Sequence, residues 1–155
     1  MKVKVVAFGR RMPGWVGEAW SDYARRMPRE WNLELVELRP ESRDRGKPVA
    51  GLLAVEAQRV AAATRGARVI ALDEHGQAWT TPELASAMSR WAATGEEVAF
   101  VIGSADGLDP ALKRAAAAVV ALSALTLPHA LVRVLLIEQL YRAASILAGH
   151  PYHRA

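Results

Sequence analysis

Four short apolar runs, VKVVAFG (3–9), ARVIALD (67–73), EVAFVIG (97–103) and AVVALS (118–123), alternate with stretches whose apolar residues recur at helical spacing. This alternation restricts the fold more than any other feature. A strand with one solvated face alternates polar and apolar residues, whereas a strand covered on both faces is apolar throughout. Runs of the second kind, interleaved with helices, predict an α/β fold with a mainly parallel sheet and helices on both faces. A fifth strand is read over 31–38, where Leu33, Leu35 and Val36 are apolar. Helices are predicted over 13–27, with Trp15, Ala19, Tyr23 and Met27 on one face, and over 49–64. Another starts at Thr81 as N-cap with Pro82 at the first position, a short one starts at Asp109-Pro110, and the last covers 130–147. The polar stretch 39–48 reads as an exposed loop.

At 155 residues the chain is expected to form one domain, residues 1–155, able to bury roughly 68 to 70% of its unfolded surface. It has no cysteine, which excludes disulfides, thiolate metal sites and cysteine nucleophiles. The first residues lack the apolar core of a signal peptide, and Arg133, Glu138 and Arg142 interrupt the best apolar run, so a cytoplasmic protein without a membrane partner is expected. Residues 1–48 hold 11 Lys and Arg against 7 Asp and Glu, while the remainder holds 9 of each. The excess cations, Arg10, Arg11, Arg25, Arg26, Arg29, Arg39, Arg43, Arg45 and Lys47, suit a phosphate backbone. They equally suit a solvated basic face in an arginine-rich chain, and both readings stand.

Three segments fall at the carboxyl ends of predicted strands, where open α/β sheets bind ligands. They are Leu72-Asp73-Glu74, the turn from Gly103 to Gly107, and Leu122 to His129. The third, LSALTLPH, is poor in charge, so its main-chain groups must either bind a ligand or pair internally. No G-x-G-x-x-G follows a strand and no G-K-[ST] is present, which disfavours NAD and ATP. The last helix, ALVRVLLIEQLYRAASIL, is apolar on most faces and must be buried on two sides, which predicts a homodimer. Beyond it, Tyr152, His153 and Arg154 offer a stacking ring, an imidazole and a fixed cation. His150 and His153 have no neighbouring carboxylate to complete a metal site, so no metal is expected. His129 reads as a helix-start residue bonded to the preceding loop, His75 as a solvated turn residue, and Asp73 or Glu74 as a ribose ligand or an exposed acid. The five tryptophans read as core or interface anchors.

The stretches VAFGRRMPGWV, ALDEHGQAWTTPELA, FVIGSADGL, LSALTLPHALVRVLLIEQLYRAASI and HPYHR together resemble the ribosomal RNA large subunit methyltransferase H family. Its members are small enzymes of the SPOUT, or α/β-knot, class, and the resemblance covers essentially all 155 residues. It implies a C-terminal trefoil knot, a homodimer, and methyl transfer from S-adenosylmethionine to N3 of a pseudouridine in 23S rRNA, with the large subunit or ribosome as partner and no role for DNA. Position by position it implies a cofactor site of Leu72, Gly103, Leu122, Ser123, Ala124, Leu125, Thr126 and Leu127. Gly103 and Gly107 are kept, whereas Ser104, Ala105 and Asp106 stand where family members often have glycine, proline and glutamate.

The acceptor N3 carries a proton at neutral pH, so a base must remove it or a cation must stabilise the anion that forms. His153 is the candidate base by its titration range, with Arg142 or Arg154 as the alternative cationic aid and Tyr152 and Arg154 holding the ring. Two other readings use the same residues. A non-catalytic RNA-binding assembly factor would explain the basic first third, and a SPOUT enzyme acting on tRNA would share the cofactor site.

Overall fold

The computed structural model describes residues 1–44 and 46–154. Arg45, counted above among the cations, lies outside the described residues. The elements run β1 (Lys2–Phe8), α1 (Gly14–Arg26), β2 (Glu34–Leu38), α2 (Val49–Ala63), β3 (Arg68–Ala78), α3 (Thr81–Thr94), β4 (Glu97–Ile102), α4 (Pro110–Ala115), β5 (Ala118–Ala121) and α5 (His129–Leu147). Short 3-10 turns cover Arg29–Trp31 and Pro151–Arg154. The strands form one sheet in the order β2-β1-β4-β3-β5, and every pairing is parallel.

Both sheet faces are covered, as the unbroken apolar runs require. Val3, Val5, Ala7, Ile70, Val98 and Phe100 face a layer that includes Trp20 of α1, Leu84 and Met88 of α3, and Leu136 and Leu140 of α5. The alternate residues Val6, Phe8, Ala71, Ala99 and Val101 face Val60 of α2, with Leu108 and Leu112 beside them. The central strand β4 is buried from Val98 to Ile102. At roughly 25 cal/mol per Å² of apolar surface, this two-sided burial is the dominant favourable contribution to the fold.

Several expectations are corrected. The buried face of α1 carries Val16, Trp20 and, beyond the helix end, Met27, whereas Trp15 is 48% exposed. Trp31 belongs to the 3-10 turn before β2, where it is buried against the first core layer. The N-cap of α3 is Thr80, one residue earlier than expected, in a capping box with Glu83: Thr80 Oγ1 accepts from the Glu83 amide at 3.2 Å and the Glu83 carboxylate accepts from the Thr80 amide at 2.6 Å. His75 does not sit in a plain turn, because β3 continues past it. Leu72 and Gln77 both pair with Val120, so residues 73–76 bulge out of the ladder. Gly76 makes this possible: a Cβ there would lie 2.7 Å from the Val120 nitrogen.

Candidate functional site

Strands β4 and β5 end at one end of the sheet, where β3 bulges at residues 73–76, and a cavity of about 520 Å³ opens there. Parallel strands present their carboxyl ends together, so the three predicted ligand segments converge by topology rather than by sequence proximity. Leu72, Leu122, Ser123, Leu125, Thr126 and Leu127 line the cavity. Ala124 is not among the lining residues, and Gly103 lies behind the wall. Its role is in the turn: an added Cβ would sit 2.6 Å from the Gly107 carbonyl carbon and oxygen. The turn closes with the Gly107 amide donating to the Ser104 carbonyl at 2.9 Å.

The segment 122–127 is shaped for a ligand. Leu125 donates its amide to Ser123 Oγ at 2.9 Å, and Thr126 Oγ1 donates to Glu74 at 3.2 Å. Among the described residues, the amides of Thr126 and Leu127, which line the cavity, reach no backbone carbonyl outside the regular elements. Main-chain donors left over beside a cavity of this size are what a small polar ligand uses. Asp73 also lines the cavity and is paired with Lys113 at 3.1 Å. Burial alone would raise its carboxyl, but the amide of His75 and the Lys113 ammonium outweigh that and hold it below the usual range. The His75 ring is solvated, as expected. His129 also lines the cavity, but its Nε2 donates at 2.9 Å to the Phe8 carbonyl at the end of β1, not to the preceding loop as expected.

The predicted catalytic residues form a second group. Tyr152 packs its ring edge-on against Tyr141 with centroids 4.6 Å apart, and its hydroxyl donates to Glu138 at 3.2 Å beside the Tyr23 hydroxyl at 3.3 Å. Arg142 pairs with Glu138 at 2.7 Å and places its guanidinium 4.9 Å from the Tyr152 ring, while Arg26 lies over the Tyr23 and Tyr141 rings. Burial first, then the hydrogen bond with Tyr23 and the Glu138 charge, push the Tyr152 phenol well above its ordinary value. It therefore keeps its proton at neutral pH and works as a hydrogen-bond donor. His153 Nδ1 is buried without a hydrogen-bond partner among the described residues, and Arg154 is exposed.

The two groups do not meet within one chain. None of Arg142, Tyr152, His153 or Arg154 lines the cavity. The cavity lining on α5 stops at Val132, whereas the tail returns to pack on Glu138 and Tyr141, and Arg142 is ten residues beyond Val132, about 15 Å along the helix.

Sequence reasoning missed Glu56 and Arg133. Glu56 falls in the buried Leu52-Glu56-Val60 stripe of α2, and a carboxylate at that spacing was a readable signal. The Arg133 side chain is 2% exposed and donates to Glu37 at 2.6 Å and to the Gly9 carbonyl at 3.1 Å, tying α5 to the ends of β1 and β2. A single arginine amid apolar helix residues was the corresponding signal.

The family model described as "Predicted SPOUT methyltransferase" matches residues 1–153. The chain belongs to that family, an α/β enzyme class whose methyl donor is S-adenosylmethionine. Over its full length it is 56% identical to the Ribosomal RNA large subunit methyltransferase H of Nitrosospira multiformis and 52% identical to that of Burkholderia multivorans, covering 100% of both. These similarities bear out the methyltransferase H resemblance. Among solved structures, a methylase family protein from Neisseria gonorrhoeae shares the fold, with a TM-score of 0.58 and 14% identity over 90% of this chain and 81% of that one.

Proposed function

We propose that this chain transfers a methyl group from S-adenosylmethionine to N3 of a pseudouridine in 23S rRNA of the large ribosomal subunit, in the cytoplasm, as a homodimer of single-domain, C-terminally knotted protomers. The observation that supports the reading is the cavity where β4 and β5 end and β3 bulges, rimmed by the spare amides of Thr126 and Leu127. It suits a ligand with an apolar-faced base, hydroxyls and a charged tail, since leucines alternate on its wall with Ser123, Thr126, Asp73 and Glu74. S-adenosylmethionine supplies an activated methyl group, so the protein's main tasks are alignment and management of one proton. Alignment of donor and acceptor is worth roughly 7 to 11 kcal/mol.

The exposed face of α5 supports the homodimer. Leu131 and Leu135, four residues apart, are 39% and 36% exposed, and the same helix face continues into Glu138 and Arg142. A second copy seated on this face would cover the leucines and bring its own tail near the first copy's cavity. In such a composite site, His153 of one protomer takes the N3 proton. Arg142 and Arg154 favour the anionic ring, and Tyr152 holds it by hydrogen bond and stacking. Arg10, Arg11 and Arg39 are exposed with no ion pair among the described residues, and Arg10 and Arg11 follow β1 at the same sheet edge as the cavity. They are the cations placed to meet the rRNA backbone.

Labelled methyl transfer onto ribosomes, separated subunits and bulk tRNA tests the substrate. Label on 23S rRNA at a pseudouridine is expected. Label on tRNA alone would reassign the enzyme to another RNA, and cofactor binding without transfer to any RNA would favour an assembly factor.

A further inference from the structure

The loop between β2 and α2 lies outside the cavity, yet one side chain of it reaches the cavity wall. Arg43 donates through Nε to Asp106 at 2.9 Å, through one terminal nitrogen to Glu56 at 3.0 Å and the Glu41 carbonyl at 2.8 Å, and through the other to Ser104 Oγ at 2.8 Å. Ser104 in turn donates its hydroxyl proton to Glu56 at 2.7 Å, and Glu56 also accepts the Glu41 amide at 2.8 Å. The Glu56 side chain is 3% exposed, so a carboxylate there requires these partners. Ser104 and Asp106 belong to the turn that forms one wall of the cavity.

We propose that Arg43 and Glu56 are positioning residues that clamp the Ser104–Gly107 turn against the 39–44 loop, so that cofactor binding in the cavity and ordering of that loop are coupled. This rests on the cavity being the cofactor site. The turn's internal shape is set by Gly103 and by the Gly107 to Ser104 hydrogen bond. Its lateral position is set from outside, because no other side-chain hydrogen bond or ion pair reaches Ser104 or Asp106 among the described residues. A planar guanidinium satisfies these four acceptors in fixed directions, which a lysine ammonium on a flexible stem does not reproduce. Ser104 is the relay, accepting from Arg43 and donating to Glu56. A glycine at 104 would lack it, so the clamp belongs to this chain's own sequence. The loop is fixed on its far side as well, where Arg59 donates to the Arg39 carbonyl and to Glu41. Cofactor occupancy is therefore transmitted to the segment that carries the exposed Arg39.

The test uses the full-length protein, calorimetry with S-adenosylmethionine, and hydrogen exchange of residues 39–44 with and without it. In the unaltered protein the cofactor is expected to slow exchange in 39–44. The double variant Arg43→Gln/Glu56→Gln, which removes both charges and strands neither, is expected to bind the cofactor about tenfold more weakly and to lose that protection. Its kcat at saturating cofactor should stay within about twofold, because bound ligand restores the turn. Ser104→Ala serves if the double variant does not fold: it is expected to weaken cofactor binding and to lose the protection of 39–44, and Ser104→Thr should recover both. Unchanged exchange in 39–44 when the unaltered protein binds the cofactor, or unchanged affinity in the variants, would overturn the clamp and leave the methyltransferase reading intact. Failure of the unaltered protein to bind S-adenosylmethionine would overturn both.

Discussion

Gly103 and Tyr152 show how single residues set the cavity-side turn and the tail, the two groups that the proposed function brings together. At Gly103 the obstacle is backbone, since an alanine Cβ would need to sit 2.6 Å from the Gly107 carbonyl, closer than real Cβ contacts come. The turn has to move into the cavity or away from it. Gly103→Ala is expected to weaken S-adenosylmethionine binding by at least about tenfold, equivalent to roughly 1.4 kcal/mol, as read by calorimetry. Tyr152 has the opposite character, because its ring contacts survive removal of the hydroxyl. Tyr152→Phe keeps the packing on Tyr141 but takes a donor from Glu138, so a stability loss of about 1 kcal/mol is expected in urea unfolding. For His153→Ala, cofactor affinity should be unchanged and methylation should fall on the order of a hundredfold, the usual loss for an absent general base. Undiminished turnover in that variant would remove the imidazole from the chemistry.

Individual elements show which parts of the fold were legible in the sequence. The parallel sheet could be read because strands covered on both faces have no polar residues to disguise, as in VAFVI of β4. The buried face of α1 could not, because Trp15-Ala19-Tyr23 and Val16-Trp20-Met27 both satisfy helical spacing and only packing against β1 chooses between them. The cap of α3 was ambiguous by one residue, since Thr80 and Thr81 are equally good hydroxyl caps and the Glu83 partner decides it. The course of β3 past Asp73 was hidden by residues that read as a turn and by a glycine whose need arises from Val120, a strand away. That the 122–127 segment lines a cavity was readable from its lack of charge, whereas the Arg43–Glu56–Ser104 network joins positions up to 61 residues apart and leaves no local pattern. The capping box gives a direct check at this scale. Thr80→Ala is expected to cost about 1 kcal/mol in thermal or urea unfolding, with specific activity of the folded enzyme retained.

At the scale of the whole molecule, the cavity lies at the start of α5 and the tail packs on its second half, and the proposed dimer over Leu131 and Leu135 would join one to the other. A C2 dimer in which each tail serves the other subunit has two composite sites, each built from one cavity and one foreign tail. Mixing therefore distinguishes service across the dimer from service within a chain. Gly103→Ala damages only the cavity, and His153→Ala damages only the tail, so each homodimer has two defective sites under either arrangement. In a heterodimer of the two, service across the dimer pairs the intact cavity with the intact tail once and concentrates both defects in the other site. Random exchange of equal amounts makes about half the dimers heterodimeric, each with one working site of two, so about a quarter of the unaltered activity should return. Service within a chain returns nothing, because every cavity–tail pair keeps one defect. Methylation assayed at S-adenosylmethionine well below its Kd, before and after co-refolding of the two variants, reads the result, and Leu131→Glu/Leu135→Glu in both should abolish any recovery by preventing the subunits from pairing.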